Sequence, residues 1–180
     1  EAANLYLRNE VLKRNMSDEQ IYKAFELCRK YSVNTFANSI LALPKSKIQD
    51  DIATVEMNIK CKVTFAEFPI CHPYPGTQLG DFCRENGIFG ADYDKIHLSY
   101  MFESPLDCFT KREKKIQKNL SLLGTVAVWK PGLKNLILKY LIYMPNNIIY
   151  VMAYILTKMY FVKSKIYPFK LRGRDFPGLF

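Results

Sequence analysis

The first half of the chain alternates between strand-like and helical patterns of apolar residues. A β-rich run over residues 33–43 ends at Pro44, which cannot donate to a strand ladder, and a second run covers residues 63–71. Helical patterns surround both runs and predict helices over residues 4–13, 18–30, 46–60 and 78–86. Strands that alternate with short helices are typical of parallel α/β folds, so we expect two parallel strands joined by a helix.

Local signals indicate where several of these helices begin and end. Ser17 and Thr110 are each followed three residues later by Gln or Glu, which is the capping-box pattern. Ser46 and Thr77 are single N-cap candidates, and Gly87 fits the left-handed position that follows a helix. We therefore expect side-chain caps at these four helix starts.

The last third of the chain shows helical patterns and no strand pattern. One helix is predicted to begin after Thr110 and at least two more to follow, with breaks near Gly132 and at Pro145-Asn146-Asn147. Residues 140–157 are 18 consecutive uncharged residues, the lower limit for a membrane-spanning helix, but the second break divides them. The tyrosines and lysines of residues 110–167 suit burial against the rest of the protein or an interfacial helix on an anionic membrane.

Composition and charge narrow the class of protein. Apolar residues make up 49% of the 180 residues and charged residues 24%, which excludes wholesale disorder. Residues 101–180 contain 14 Lys or Arg against 4 Asp or Glu, whereas residues 1–100 contain 12 against 13. A basic half can face nucleic acid, anionic lipid or an acidic partner, or it can be solvated. Nothing beyond charge favours nucleic acid, which we do not expect as a partner.

The residues that could perform chemistry are few. The five cysteines, at positions 28, 61, 71, 83 and 108, are odd in number and form no C-x-x-C pair, so we expect reduced thiols in a cytoplasmic protein. His72 follows the second strand-like run and is a candidate for contact with a substrate. The alternative is a strand-end histidine bonded to the backbone.

Three strings occur in order along the first ninety residues. They are Leu7-Arg8-Asn9-Glu10-Val11-Leu12-Lys13-Arg14-Asn15-Met16-Ser17, Asn38-Ser39-Ile40-Leu41-Ala42-Leu43-Pro44 and Pro73-Tyr74-Pro75-Gly76-Thr77. Preceded by Glu1, this ordered set resembles the C-terminal part of a radical S-adenosylmethionine (SAM) enzyme, and its spacing is similar to the cobalamin-binding branch. The basic helical tail also looks like tails in that branch.

The resemblance implies a particular fold. It implies an α/β architecture, an incomplete TIM-like radical SAM barrel of parallel strands over residues 1–90, followed by an all-helical basic extension over residues 91–180. Two or three strands cannot close a barrel, so we expect the inner face and one edge of the sheet to be open or covered by the tail. Four side chains are then partly exposed unless something covers them: Phe36, Ile40, Phe65 and Phe68.

The resemblance also implies where SAM binds. Glu1 matches a carboxylate or amide that contacts SAM at a strand end, and Asn38 matches a polar residue near the ribose or amino acid part. Arg14 matches an arginine that binds the SAM carboxylate with two donors, and Arg8 is its competitor. The alternatives are a frayed terminus for Glu1, an exposed pair with Asp18 for Arg14, and an interior amide for Asn38.

Two departures from the family pattern affect these expectations. The C-x-x-x-C-x-x-C loop that holds the family's [4Fe–4S] cluster is absent, and the string Gly-Leu-Pro-Gly-Glu-Thr is here Ala42-Leu43-Pro44-Lys45-Ser46-Lys47. We therefore expect a fragment that binds no cluster and is inactive alone. Its expected partners are an upstream part of the same protein and a small-molecule substrate; SAM, the cluster and, as an open alternative, cobalamin belong to the whole protein.

Two functional hypotheses follow. In the first, the chain is part of an enzyme that cleaves SAM reductively at a [4Fe–4S] cluster and starts methyl transfer or oxidative cyclisation on a substrate that we cannot name. In the second, it is a non-catalytic basic helical module that binds an anionic membrane surface or a partner protein. A cytoplasmic location suits the first, and peripheral membrane contact through residues 110–167 suits the second.

Overall fold

The computed structural model describes residues 1–90, 93–95, 101 and 103–166, and helices dominate them. The α-helices are α1 (Asp18–Lys30), α2 (Ile48–Lys60), α3 (Gln78–Glu85), α4 (Lys111–Trp129), α5 (Lys134–Lys139) and α6 (Ile148–Phe161). The strands are β1 (Phe36–Asn38) and β2 (Phe65–Glu67). Shorter turns of helix cover Leu7–Val11, Tyr93–Lys95, Pro131–Leu133, Leu141–Tyr143 and Val162–Ile166.

Most of the predicted caps are present. Ser17 and Thr110 form complete capping boxes with Gln20 and Glu113, and the Thr77 hydroxyl accepts from the backbone N–H of Gly80. Gly87 follows α3 with a φ of +63°. The prediction for Ser46 is wrong, because α2 begins one residue later and its start is closed by Asp50, which accepts from the Lys47 N–H.

The two strands pair in parallel, as predicted, with α2 between them in the chain. Phe36 lies opposite Phe65 and Asn38 opposite Glu67, and a single further bridge joins Leu41 to Ile70. Both strands are shorter than the predicted runs. Pro69 has no N–H to donate, so the ladder is interrupted between its main part and the bridge.

The expectation of a partial TIM-like barrel is wrong. The described residues contain only this two-stranded sheet in a mostly helical structure, and α4 occupies the edge where another strand would pair. Ser39 and Leu41 donate to carbonyls on one side of β2, so the Phe68 carbonyl faces the other side. There it accepts from the Ser121 hydroxyl of α4 at 2.6 Å. A helix therefore ends the sheet.

The last helix covers part of the sheet face that a barrel would turn inward. The Phe161 ring of α6 lies 5.3 Å from that of Phe65, which is buried. The Tyr154 hydroxyl donates to the Glu67 carboxylate at 2.6 Å, and Lys158 pairs with the same carboxylate at 2.8 Å. The tail helices thus occupy the space in which the sequence analysis expected an open sheet face.

The coverage of the four predicted side chains is uneven. Phe65 and Phe68 are buried, Ile40 is half-buried, and Phe36 remains 52% exposed. On the opposite face of β2, Phe68 packs so closely on Gly124 of α4 that a methyl group at Gly124 would lie 2.9 Å from the ring. Close packing of α4 on the strand therefore depends on this glycine.

The predicted breaks in the tail are confirmed. The chain leaves α4 at Lys130, passes through the turn at Pro131, and ends α5 at Lys139. Asn147 caps α6 by accepting from the Tyr150 N–H. Within the ranges described above, no helix combines the length and apolar character needed to cross a membrane.

Candidate functional site

A cavity of about 370 Å³ lies where the two parallel strands end. Its walls come from the segment around Arg14, the residues after β1 and β2, and the start of α3. The apolar part consists of Val11, Leu12, Ile40, Ile70 and Leu79. The polar part consists of Lys13, Arg14, His72, Tyr74, Thr77 and Gln78. Ligands of open parallel sheets bind at this edge, and roughly 300–1,000 Å³ is the usual size of a small-molecule site.

Arg14 reaches the cavity from a backbone in an unusual conformation. Lys13 and Asn15 on either side of it have φ values of 54° and 50°, in the left-handed region. The Arg14 N–H donates to the Arg8 carbonyl at 3.1 Å, which closes the loop. Left-handed residues other than glycine cost free energy, and such strain often marks a functional site.

Arg8 is fully buried and holds this loop together. Its guanidinium donates to the carbonyls of Ala2 and Met16 at 3.0 and 2.9 Å and to the Asp18 carboxylate at 2.5 Å. These contacts use both terminal nitrogens and Nε. The resemblance pointed to two arginines. In the structure Arg8 is buried within the loop, whereas Arg14 lies in the cavity wall.

Glu1 lies beside Arg14. The carboxylate Oε1 is 3.2 Å from the Arg14 Nε, while Oε2 is buried and has no hydrogen-bond partner. The Glu1 backbone nitrogen donates to the Asn38 carbonyl at 3.1 Å. The structure therefore brings Glu1, Arg14 and the Asn38 backbone together, whereas Asn38 itself is an exposed residue outside the cavity wall.

His72 has one nitrogen bonded to the backbone and one without a hydrogen-bond partner. It is buried, and its Nδ1 lies 2.8 Å from the Ile70 carbonyl. A carbonyl oxygen only accepts, so Nδ1 holds the proton and Nε2 of the neutral ring has a lone pair. That Nε2 is buried without a partner. The alternative of a strand-end histidine bonded to the backbone is thus present, and contact with a substrate stays a prediction.

The turn after His72 is shaped by two glycines. Gly76 has a φ of +72°, and a Cβ at Gly80 would lie within 2.2 Å of the Tyr74 carbonyl oxygen. The Thr77 hydroxyl joins the two ends, donating to that carbonyl at 2.7 Å and accepting from the Gly80 N–H at 3.0 Å. This arrangement places the N-terminus of α3 beside the cavity, where it favours negative charge.

The described residues fit SAM and do not fit an iron–sulfur cluster. The cavity offers a cation and an apolar wall, which suit the carboxylate and the adenine of SAM. In contrast, burial raises the pKa of the Cys71 thiol strongly and that of Cys83 to about 11, so both stay protonated. No three metal-ligating side chains come together anywhere in the described ranges.

One turn has left-handed backbone at two positions that are not glycine. Ala42 and Lys45, at the two positions where the resembled family has glycine, have φ values of 55° and 69°. The backbone therefore adopts the conformation that glycine permits, although the glycines are absent. Residue identity alone could not reveal this.

The cavity also contains residues that the sequence did not single out. Lys13 and Gln78 add polar atoms to its wall, and Val11 and Leu12 extend the apolar part. Val11 ends the short helix Leu7–Val11, and Leu12 and Lys13 follow it directly. Its π-type geometry has no recognisable sequence signature, so only the preceding resemblance pointed to this segment.

Comparison with known proteins gives one distant relative. The chain is 24% identical over 79 residues to an uncharacterized methyltransferase of Pyrococcus horikoshii. The matched region is 44% of this chain and 17% of the length of that relative. No family model matches the chain. The match is compatible with a methyltransferase-like protein and shows no finer class.

Proposed function

We propose that this chain forms a SAM-binding part of a methyltransferase, and that the enzyme belongs to the radical SAM class. The distant methyltransferase relative supports the first step, and the ordered strings that include Arg14 and Tyr74-Pro75-Gly76-Thr77 support the second. The observation that bears most on the proposal is the position of Arg14. A strained loop holds it in the wall of the cavity, within reach of the Glu1 carboxylate.

Each residue has a distinct role in this proposal. Arg14 donates from its terminal guanidinium nitrogens to the SAM carboxylate, and Glu1, which lies outside the cavity wall, orients the Arg14 side chain through its contact with Nε. The apolar wall around Ile40 and Ile70 packs against the adenine, while Arg8 keeps the loop in place. Asn38 adds a polar group at the adjacent strand end.

His72 serves the same cavity as a hydrogen-bond acceptor. Its Nε2 is the one nitrogen of the ring that the backbone does not use. A donor group of a bound molecule satisfies this lone pair, which otherwise remains buried at a cost. The residue could in the same way take a proton from a substrate.

SAM supplies an activated methyl group, and in the radical class it is also the source of a radical. We assign the [4Fe–4S] cluster, and cobalamin if it is used, to other parts of a longer protein, because no three metal-ligating side chains come together in the described residues and burial raises the thiol pKa of Cys71 and Cys83. The small share of the relative that the chain matches agrees with this assignment. The substrate-binding groups beyond His72 then also lie elsewhere.

Calorimetric titration of the 180-residue chain with SAM tests the proposal. We expect saturable binding and a loss of about 10- to 100-fold in affinity for Arg14→Gln, since a charge-assisted hydrogen bond is worth about 1.5–3 kcal/mol. Arg84→Gln is the matched control, because Arg84 is exposed and pairs with Asp81 on α3. Methylthioadenosine, which lacks the carboxylate, should bind both variants equally.

Two results would contradict the proposal. One is the absence of saturable SAM binding to the wild-type chain while circular dichroism shows it folded. The other is an Arg14→Gln variant that binds SAM as tightly as the Arg84→Gln control. Binding that distinguishes SAM from methylthioadenosine in the wild type but not in Arg14→Gln supports the assigned role directly.

A further inference from the structure

Helix α6 exposes a second apolar face. Its residues are 48–69% exposed and comprise Ile148, Ile149, Met152, Leu156 and Tyr160. At 100° per residue they span a sector of about 120°. The buried residues Tyr150, Tyr154, Thr157 and Phe161 lie on the other side of the helix. The helix is thus apolar on two sides, and only one of them packs on the described protein.

The segment that carries this exposed face is strongly basic. Residues 114–166 contain nine lysines and no aspartate or glutamate. Lys139, Lys163 and Lys165 are exposed, and the last two follow α6 directly. A partner that fits the exposed face must therefore accept large apolar side chains and be negatively charged around them.

An aromatic and basic cluster lies at the C-terminal end of the same helix. The Trp129 ring is 5.3 Å from that of Tyr160, and the Lys130 ammonium is 4.5 Å from the Trp129 ring centre. Tryptophan and tyrosine beside lysine are typical of the headgroup level of a bilayer, where one end of the ring is apolar and the other is hydrated. The cluster suits a helix that lies at this level.

We propose that the exposed face of α6 (the five residues from Ile148 to Tyr160 given above) docks on the surface of an anionic lipid bilayer. Fourteen residues make a helix about 21 Å long, shorter than the roughly 30 Å hydrocarbon core, so α6 lies in the plane of the surface. The apolar side chains enter the acyl boundary and the lysines meet lipid phosphates.

The charge argues against a second copy of the chain as the occupant. Two copies packed face to face would bring two sets of lysines together, and the acids that the structure places beside tail lysines, Glu56 and Glu67, already pair with Lys134 and Lys158. Like charges at an interface oppose association. A bilayer with phosphatidylserine supplies both the negative charge and the apolar depth that this face requires.

Vesicle flotation of the 180-residue chain tests the docking surface. We expect binding to vesicles with roughly one third phosphatidylserine and little binding to pure phosphatidylcholine. Ile149→Glu with Leu156→Glu should lower binding at least about tenfold, because both charges enter the buried depth. Raising NaCl from about 0.1 M to 1 M, which shortens the screening length from about 10 Å to 3 Å, should weaken but not abolish binding.

A matched double variant controls for the effect of two added negative charges at exposed apolar positions elsewhere on the protein. Leu27→Glu with Tyr31→Glu adds the same charge at α1, at positions that are 55% and 67% exposed. It should float like the wild type. The inference is overturned if the wild type binds no anionic vesicles at low salt, or if both double variants lose binding equally. Concentration-dependent dimerisation that only the α6 variant abolishes, without vesicle binding, would assign the face to a second copy instead.

Discussion

Asp51 of α2 is a buried acid in contact with the turn at Ala42. It accepts from the Ala42 N–H at 3.0 Å and from the Gln117 amide at 3.2 Å, and burial raises its pKa from 3.8 to about 7. Asp51 ionises at a lower pH in the unfolded chain than in the folded protein. The free energy of unfolding therefore falls as the pH rises from about 4 to about 7. Above about pH 7 the free energy of unfolding falls no further through this group.

We therefore expect Asp51→Asn to stabilise the protein at pH 8 and to flatten this slope. The asparagine keeps an acceptor for Ala42, and its amide can donate to the Gln117 Oε1, which now lacks a partner. A shift of three pKa units corresponds to an upper limit of about 4 kcal/mol. Urea unfolding at pH 5 and pH 8 measures it. Asp81→Asn, at an exposed position, is the control, and equal slopes in Asp51→Asn and the wild type would refute the expectation.

Residue-scale chemistry was only partly visible in the sequence. The resemblance pointed to Arg14 and to the turn after His72, because each lies in a string that can be recognised letter by letter. It favoured Arg14 over Arg8, but it did not show that the loop buries the Arg8 guanidinium, which depends on tertiary contacts. The raised pKa of Asp51 likewise follows from tertiary burial, which no local pattern encodes.

At the scale of single elements, helix ends were the most predictable feature. Capping boxes at Ser17 and Thr110 act within four residues, so sequence determines them locally. The start of α2 was misplaced by one residue because Lys47 is the N-cap, and its N–H donates to the Asp50 side chain three residues later. Helix C-termini that lack a glycine were harder to predict from the sequence. A residue other than glycine can adopt the left-handed conformation there, at a cost in free energy.

The end of α2 shows this cost and provides a test. Lys62 has a φ of 52°, while its N–H and that of Val63 donate to Ile59 and Asn58 in a Schellman arrangement. We expect Lys62→Gly to raise the free energy of unfolding by about 0.5–1 kcal/mol, as glycine relieves the left-handed strain. Lys62→Ala keeps the strain and should change little. Chemical denaturation compares the three proteins, and a destabilised glycine variant would contradict the expectation.

At the scale of the whole molecule, sequence predicted the parallel pair of strands but not where the sheet ends. Strand-like patterns extended over residues 33–43 and 63–71, yet the extent of pairing depends on what lies at the outer edge. There the Ser121 hydroxyl of α4 donates to the Phe68 carbonyl. The Tyr154 hydroxyl of α6 donates to the Glu67 carboxylate, and Lys158 forms an ion pair with it. These are contacts between residues more than fifty positions apart, so a barrel was predicted where helices close the structure.

The same tertiary arrangement separates two surfaces with different chemistry. The cavity at the strand ends combines Arg14, His72 and apolar walls, and it is built from the first half of the chain. The exposed face of α6 belongs to the basic half, in which lysines are not balanced by acids. The proposed cofactor binding and the proposed bilayer docking therefore depend on different residues and can fail independently.

A crystal structure of the 180-residue chain with S-adenosylhomocysteine, the demethylated product of SAM, is the most direct test of the proposed site. We expect the ligand in the cavity at the ends of β1 and β2, with its carboxylate on the Arg14 guanidinium and a ligand donor within hydrogen-bond distance of His72 Nε2. A ligand bound elsewhere, or one in the cavity that contacts neither side chain, would contradict the proposed SAM site.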